Sequence, residues 1–218
     1  MRCVLRGLFA TAFSLLAFAC SAGDSQGTFT EGKDYKRVRE VQAPADPKRI
    51  EVNEFFWYGC PHCYAFDPAI EAWAKTRPGD VDFVRVPTTL GRPEGRLHAK
   101  AFYTAEILNA LDAMHPALFD TLHKQHQPLN GEAQIQALFN RTTGVLPDVF
   151  SATFNGFAVD ARVRKAEQLA MSYGITSVPT LVVGGTYVTS PAMAHGFTEA
   201  TRVLDFLIDK VRKERAGR

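Results

Sequence analysis

The 218-residue chain has only four cysteines and two tryptophans, and the scarcity of cysteine restricts its chemistry at once. A second Cys-x-x-Cys, which a four-cysteine zinc site would need, does not exist. Charge of one sign is also lacking, because 25 Lys and Arg stand against 23 Asp and Glu, and the small excess lies at the extreme N-terminus in Arg2 and Arg6. Without those two arginines the chain carries as many acids as bases, which leaves nucleic-acid binding without an electrostatic argument. Long apolar runs are missing too. The uncharged stretch Gly7 to Phe18 is shorter than the roughly 20 residues that span a bilayer, and no later stretch is a better candidate. What is present, 46% hydrophobic against 22% charged residues, suffices for one cored domain that can carry an insertion.

Two arginines, an apolar run and the small-residue end Ala17-Phe18-Ala19 form a signal-peptide pattern, so residues 1–19 are expected to be removed on export. Cys3 leaves with that segment. Cys20 admits two readings, since Leu16-Ala17-Phe18-Ala19-Cys20 loosely resembles a bacterial lipobox, and lipidation of Cys20 and ordinary cleavage before it both fit. Residues 20–34, rich in Ser, Gly and Thr over much of their length, read as a flexible linker. Only Cys60 and Cys63 remain in the folded body.

Along that body, Tyr35 to Val38 reads as a short edge strand, and Ile50 to Trp57, β-branched and aromatic, as a central strand buried on both faces. Pro61 then opens a helix at the position where its missing N–H costs nothing. Phe66, Ile70 and Trp73 give that helix an apolar stripe, with Pro68 expected to kink it. Arg77 to Asp80 ends it, and Val81 to Val86 alternates as a second strand, parallel to the first. From Pro93 to Met171 the periodicity is helical almost throughout, punctuated by Gly131, Gly144 and Gly156. Phe102, Tyr103, Phe119 and Phe139 read as the core of this part, and His123 and His126 as surface histidines. Thr180 to Val183, the pair Gly184-Gly185 and Tyr187-Val188 make a hairpin, and a helix over 198–214 closes the chain. The basic run Lys210 to Arg218 reads as a solvated helix end. The expected architecture is α/β: one unit from 35–92 and 174–214, interrupted by a helical insertion over 93–173.

The chemistry resides in Cys60-Pro61-His62-Cys63, set between a strand and a helix. Thiol–disulfide exchange needs one thiol that ionises easily and a second that resolves the mixed disulfide. A helix N-terminus stabilises a thiolate at Cys60, and the first helical turn faces Cys63 inward. His62 can donate to the thiolate or pair with it, which stabilises the dithiol and favours an oxidant over a reductant. Haem attachment is excluded because Tyr64, not His, follows the second cysteine. A structural disulfide stays open, although so small a loop constrains the unfolded chain little. No metal or organic cofactor is expected.

Far downstream, Val178-Pro179-Thr180 precedes the hairpin. A strand, a helical Cys-Pro-His-Cys, a helical block and Val-Pro-Thr before a hairpin together resemble the DsbA family of bacterial periplasmic thiol oxidases, over roughly Tyr35 to Arg212. The resemblance implies a thioredoxin-like fold with an inserted helical cap. It further implies a cis Pro179 packed beside the dithiol, a Val178 backbone that pairs with a bound substrate strand, and reduced exported proteins as substrates. A membrane quinone-linked partner of the DsbB type would reoxidise the dithiol. It also implies that an acid at Glu54 lies beneath the dithiol and assists proton movement, while the residues alone equally allow Glu54 to reach solvent or pair with a base. No basic partner for Glu54 is evident near Phe83 in the following strand. Exposed apolar surface around Trp57, Tyr58 and Pro179 is expected to hold unfolded chains. The expected setting is the periplasm of a Gram-negative bacterium, as a monomer, tethered if Cys20 is lipidated. An isomerase or reductase, and a chaperone-like lipoprotein with a structural disulfide, are the competing functions.

Overall fold

A computed structural model describes residues 29–44 and 46–217 of the chain. The signal segment, Cys3 and Cys20 lie outside them. Five strands form one mixed sheet in the order β1-β5-β4-β2-β3. Its two halves meet at β2 (Ile50–Phe56), which pairs in parallel with β3 (Val81–Pro87) and antiparallel with β4 (Thr180–Val183). β5 (Tyr187–Thr189) turns back on β4, and β1 (Lys36–Arg37) closes the edge against β5. The β2–β3 crossover is α1 (Pro61–Thr76), which runs through Pro68 as one helix.

Between β3 and β4 come five helices, α2 (Pro93–Ile107), α3 (Leu111–His123), α4 (Glu132–Thr143), α5 (Pro147–Phe154) and α6 (Phe157–Tyr173). Gly131 and Gly144 bound α4, and Gly156 precedes α6. The last helix is α7 (Phe197–Ala216). Its basic end is tied down rather than merely solvated: Arg212 donates to Asp80 and Asp209, and Arg215 to the carbonyls of Pro47 and Arg49.

Strand alternation sends side chains into two cores. In β4, Leu181 and Val183 join Phe66, Ile70 and Trp73 of α1 and Val203, Leu204 and Leu207 of α7 on one face. Val182 points the other way, with Phe55, into a core built from Phe102, Phe119, Phe139 and Phe150 of the helical block, and Phe56, at the end of β2, also packs into that core. Removing one of these rings would cost about 3–5 kcal/mol in lost transfer energy and cavity. At the hairpin, Gly184 and Gly185 both take positive φ, 59° and 66°, as the tight turn that matches strand twist requires. A Cβ on Gly185 would sit 2.5 Å from the Gln42 carbonyl oxygen.

Candidate active site

The turn after β2 carries the chain from the sheet to the N-terminus of α1. Cys60 is the N-cap of that helix and Pro61 its first residue, so the Cys60 sulfur meets backbone N–H groups that have no intrahelical partner. Both cysteines are free thiols, Cys60 8% exposed and Cys63 1%. Pro61 and His62 are exposed on the surface between them. The Cys60 thiol is drawn down to about 5, first by a hydrogen bond from the Cys63 thiol, then by the N–H groups of Cys63 and His62 and by the charge of His62; partial burial opposes them. Burial does the reverse to Cys63 and pushes its thiol far up, reinforced by Cys60 beside it. One sulfur is therefore a ready thiolate and the other a held thiol.

From the far end of the sequence, the loop before β4 brings the Val178 carbonyl to 3.6 Å from the Cys60 sulfur. The Val178–Pro179 bond is cis. Val178 is partly exposed and Pro179 is buried. Tyr58, expected at the surface, is fully buried. Its ring lies edge-on to Phe56 and Phe119, with centroids 5.0 and 4.8 Å away, pairs worth about 0.5–1.5 kcal/mol each beyond area. Its hydroxyl is satisfied inside the protein by His115. Of the three apolar residues expected to face solvent, Trp57 alone is partly open.

Three histidines of the helical block hold the turn that leads into Cys60. Trp57 Nε1 can only donate, so His98 Nδ1, 3.0 Å away, accepts, and His98 Nε2–H faces the Leu129 carbonyl at 3.1 Å. Burial keeps that ring neutral, down at about 4. His115 uses both nitrogens: Nε2–H donates to Asp67 Oδ1 at 2.9 Å, and Nδ1 accepts the Tyr58 hydroxyl at 2.7 Å. His123 Nε2–H donates to the Tyr58 carbonyl at 2.7 Å and the ring stacks on Tyr64. His123 is thus half-buried and engaged rather than a surface residue, while His126 lies beyond the end of α3 and is exposed. His123 and His126, three residues apart, share no helical face, because α3 stops between them.

Beneath the dithiol, Glu54 is only 3% exposed, and its partner is Arg85. The basic residue absent around Phe83 stands two positions further along β3, where the register sets Glu54 opposite Arg85. Arg85 Nε donates to Glu54 at 3.1 Å, while Arg85 Nη2 serves Asp67 at 3.3 Å and Glu71 at 2.7 Å. One guanidinium cannot neutralise three carboxylates. Burial accordingly raises Glu54 to about 7, against the pull of Arg85 and with Asp67 adding to the rise. Glu54 also contributes to the upward shift of Cys63, which sets its carboxylate within electrostatic reach of the buried sulfur.

The residues that sequence reasoning missed are Arg85, Asp67 and the three histidines. Arg85 had a signal: aligning the two parallel strands at their first residues, Ile50 and Val81, sets Glu54 against Arg85. The histidines had none, since 41 to 65 residues separate them from the residues they hold. Among the described residues, no group of three or more His, Cys, Asp or Glu is placed to hold a metal ion, and no helix is long and apolar enough to cross a membrane.

Known proteins agree with this geometry. The model of the DSBA-like thioredoxin domain matches residues 51–207. The thiol:disulfide interchange protein DsbA of Pseudomonas aeruginosa is 38% identical over 208 residues, 95% of this chain and 98% of its own. The protein of the same name from Burkholderia cepacia is 38% identical over 205 residues, 92% of this chain and 96% of its own. The crystal structure of Pseudomonas aeruginosa DsbA superposes with a TM-score of 0.80, covering 85% of this chain and 96% of that one. That of the Xylella fastidiosa oxidoreductase DsbA, 32% identical, gives 0.76 over 84% and 97%. The mixed sheet with helices inserted between β3 and β4 is the thioredoxin-like fold of that group. With a dithiol at the start of α1 and a cis proline beside it, this chain belongs to the DsbA-like thioredoxin family and is a thiol:disulfide oxidoreductase.

Proposed function

We propose that this protein donates the Cys60–Cys63 disulfide to reduced proteins after their export. The observation that carries this reading is the asymmetry of the two sulfurs, with Cys60 at a helix N-cap beside the Val178 carbonyl and Cys63 buried one turn on. A substrate thiolate attacks the Cys60 sulfur, the Cys60–Cys63 bond breaks, and the electron pair leaves on Cys63, which takes up a proton. A second substrate thiolate attacks its own partner sulfur in the mixed disulfide and expels Cys60 as the thiolate. Two substrate thiols have become a disulfide and the protein holds both electrons, so no organic or metal cofactor enters the balance. The low affinity of Cys60 for a proton makes it the better leaving group.

In this reading Pro61 starts the helix that stabilises Cys60, and His62 adds an N–H and its charge. Val178 offers backbone to the bound segment, while Pro179 packs beneath it. Glu54, raised to about 7, is suited to exchange a proton with Cys63 near neutral pH. Reoxidation falls to a membrane quinone-linked protein of the DsbB type, and the setting is the periplasm of a Gram-negative bacterium. Cys20, if lipidated, would tether the domain there, and the protein would act as a monomer. The test is oxidation of a reduced, unfolded client with several cysteines. The wild-type disulfide is expected to oxidise it stoichiometrically; Cys63→Ser, which has no disulfide to donate, is expected to oxidise none of it but, given a client that already holds a disulfide, to trap a mixed disulfide through attack of the Cys60 thiolate, and Cys60→Ser to do neither. Client oxidation by Cys60→Ser at the wild-type rate would overturn the reading.

A further inference from the structure

Beside the Val178–Pro179 loop the surface opens into a cleft of about 580 Å³. Ser177 and Thr180, the residues that flank Val178 and Pro179, line its inner end, and the Thr180 hydroxyl donates to the Ser177 carbonyl at 2.8 Å. Its outer wall is the edge strand and the residues after it, Lys36, Arg37 and Arg39. No acidic side chain lines it. Arg37 is partly engaged, with Tyr187 and at 3.9 Å with Glu31. Lys36 and Arg39 are exposed and, among the described residues, neither is paired with a carboxylate. The nearby Asp34 carboxylate is occupied by the Thr30 N–H at 2.8 Å.

We infer that this cleft receives the substrate chain next to its reactive cysteine and selects segments in which acidic residues flank that cysteine. The inference rests on the reading that Cys60 is the sulfur attacked. A chain held at the Val178 backbone passes Ser177 into the cleft, because the two residues are neighbours and the Val178 carbonyl lies 3.6 Å from the Cys60 sulfur. The described residues carry equal numbers of acidic and basic side chains, so attraction for an acidic segment comes from this local arrangement and not from net charge. A one-signed cleft raises the encounter rate of an oppositely charged partner and loses that advantage as salt screens it.

The test uses the oxidised protein and two synthetic dithiol peptides of one sequence, the cysteines flanked by glutamates in one and by lysines in the other. Dithiothreitol, small and uncharged, reports on the disulfide itself. At low ionic strength the glutamate peptide is expected to be oxidised about tenfold faster than the lysine peptide, with the gap closing toward 1 M salt. Lys36→Glu with Arg39→Glu should reverse the order. Arg141→Glu with Lys165→Glu, the same change in net charge at exposed sites outside the cleft, should preserve it, and dithiothreitol should react alike with all three proteins. Equal rates for the two peptides, with dithiothreitol oxidised normally, would overturn the selectivity and leave the redox reading standing. Loss of preference in both double variants would assign it to net charge and equally overturn the cleft. Failure to oxidise dithiothreitol would remove the underlying reading of Cys60.

Discussion

Glu54 and Arg85 face each other across the parallel β2–β3 pair, joined at 3.1 Å and almost entirely shielded from water. The relationship is unbalanced, because Arg85 also serves Asp67 and Glu71. A carboxyl raised from 4.5 to about 7 binds its proton more tightly in the folded than in the unfolded chain. Between those values the folded state therefore holds more protons, and stability falls as pH rises through them. Glu54→Gln, a permanent mimic of the protonated acid, is expected to match the wild type near pH 4 and to be more stable by about 1–3 kcal/mol at pH 8. Urea melts of both proteins at the two pH values check this; a Gln variant less stable at pH 8 would contradict it.

Removal of the cation should act in the opposite direction. Arg85→Met leaves Glu54 buried without its partner, a loss expected to cost about 3–5 kcal/mol at neutral pH. The cost should shrink at pH 4, where Glu54 is neutral in either protein. Thermal melts across pH measure it.

The Cys60 thiol, low at about 5, and the Cys63 thiol, held up by burial, together set a proton count for reduction. Above pH 5 reduction of the disulfide takes up two electrons and one proton, and below it two of each. The reduction potential should fall by about 30 mV per pH unit between pH 6 and 8, and by about 59 mV per unit below pH 5. The sign for stability follows. A depressed thiol stabilises the reduced fold most above the unfolded thiol range, and that contribution is lost as pH falls through 5. Denaturant melts of reduced and oxidised protein should therefore converge as pH drops from 7 to 4.

Gly59 packs so tightly against the Trp57 indole that a Cβ there would meet ring carbons at 2.3 to 2.7 Å. The ring in turn is fixed by His98 and covered by Arg92, 5.3 Å from its centroid. Gly59→Ala is expected to displace the indole, break the Trp57–His98 hydrogen bond and cost about 1–3 kcal/mol. Near-UV circular dichroism would show the altered tryptophan environment; an unchanged spectrum and stability would contradict the packing argument.

Much of this arrangement was legible in the chain. Strand identity came from β-branched and aromatic runs, α1 from Pro61 and the Phe66, Ile70, Trp73 stripe, and the hairpin from Gly184-Gly185. Those signals are local, and each element depends on its own residues. Burial of Tyr58 and Pro179 was not legible, since an aromatic or proline beside a reactive cysteine looks the same whether it faces solvent or the helical block. The His98, His115 and His123 clamp was hidden for the same reason. Each histidine sits within a helix whose stripe explains its backbone but not the turn it reaches. Arg85 lay in between, because register alone could place it and strand alternation could not.

The most direct test of the oxidant account is the equilibrium of the dithiol with glutathione at pH 7. A Cys60 thiol at about 5 lies about two units below that of thioredoxin, which stabilises the reduced form by about 60 mV relative to it. The expected potential is therefore about −210 mV or more positive, against about −270 mV for thioredoxin. A value no higher than that of thioredoxin would contradict the claim that the Cys60–Cys63 disulfide is held ready for donation.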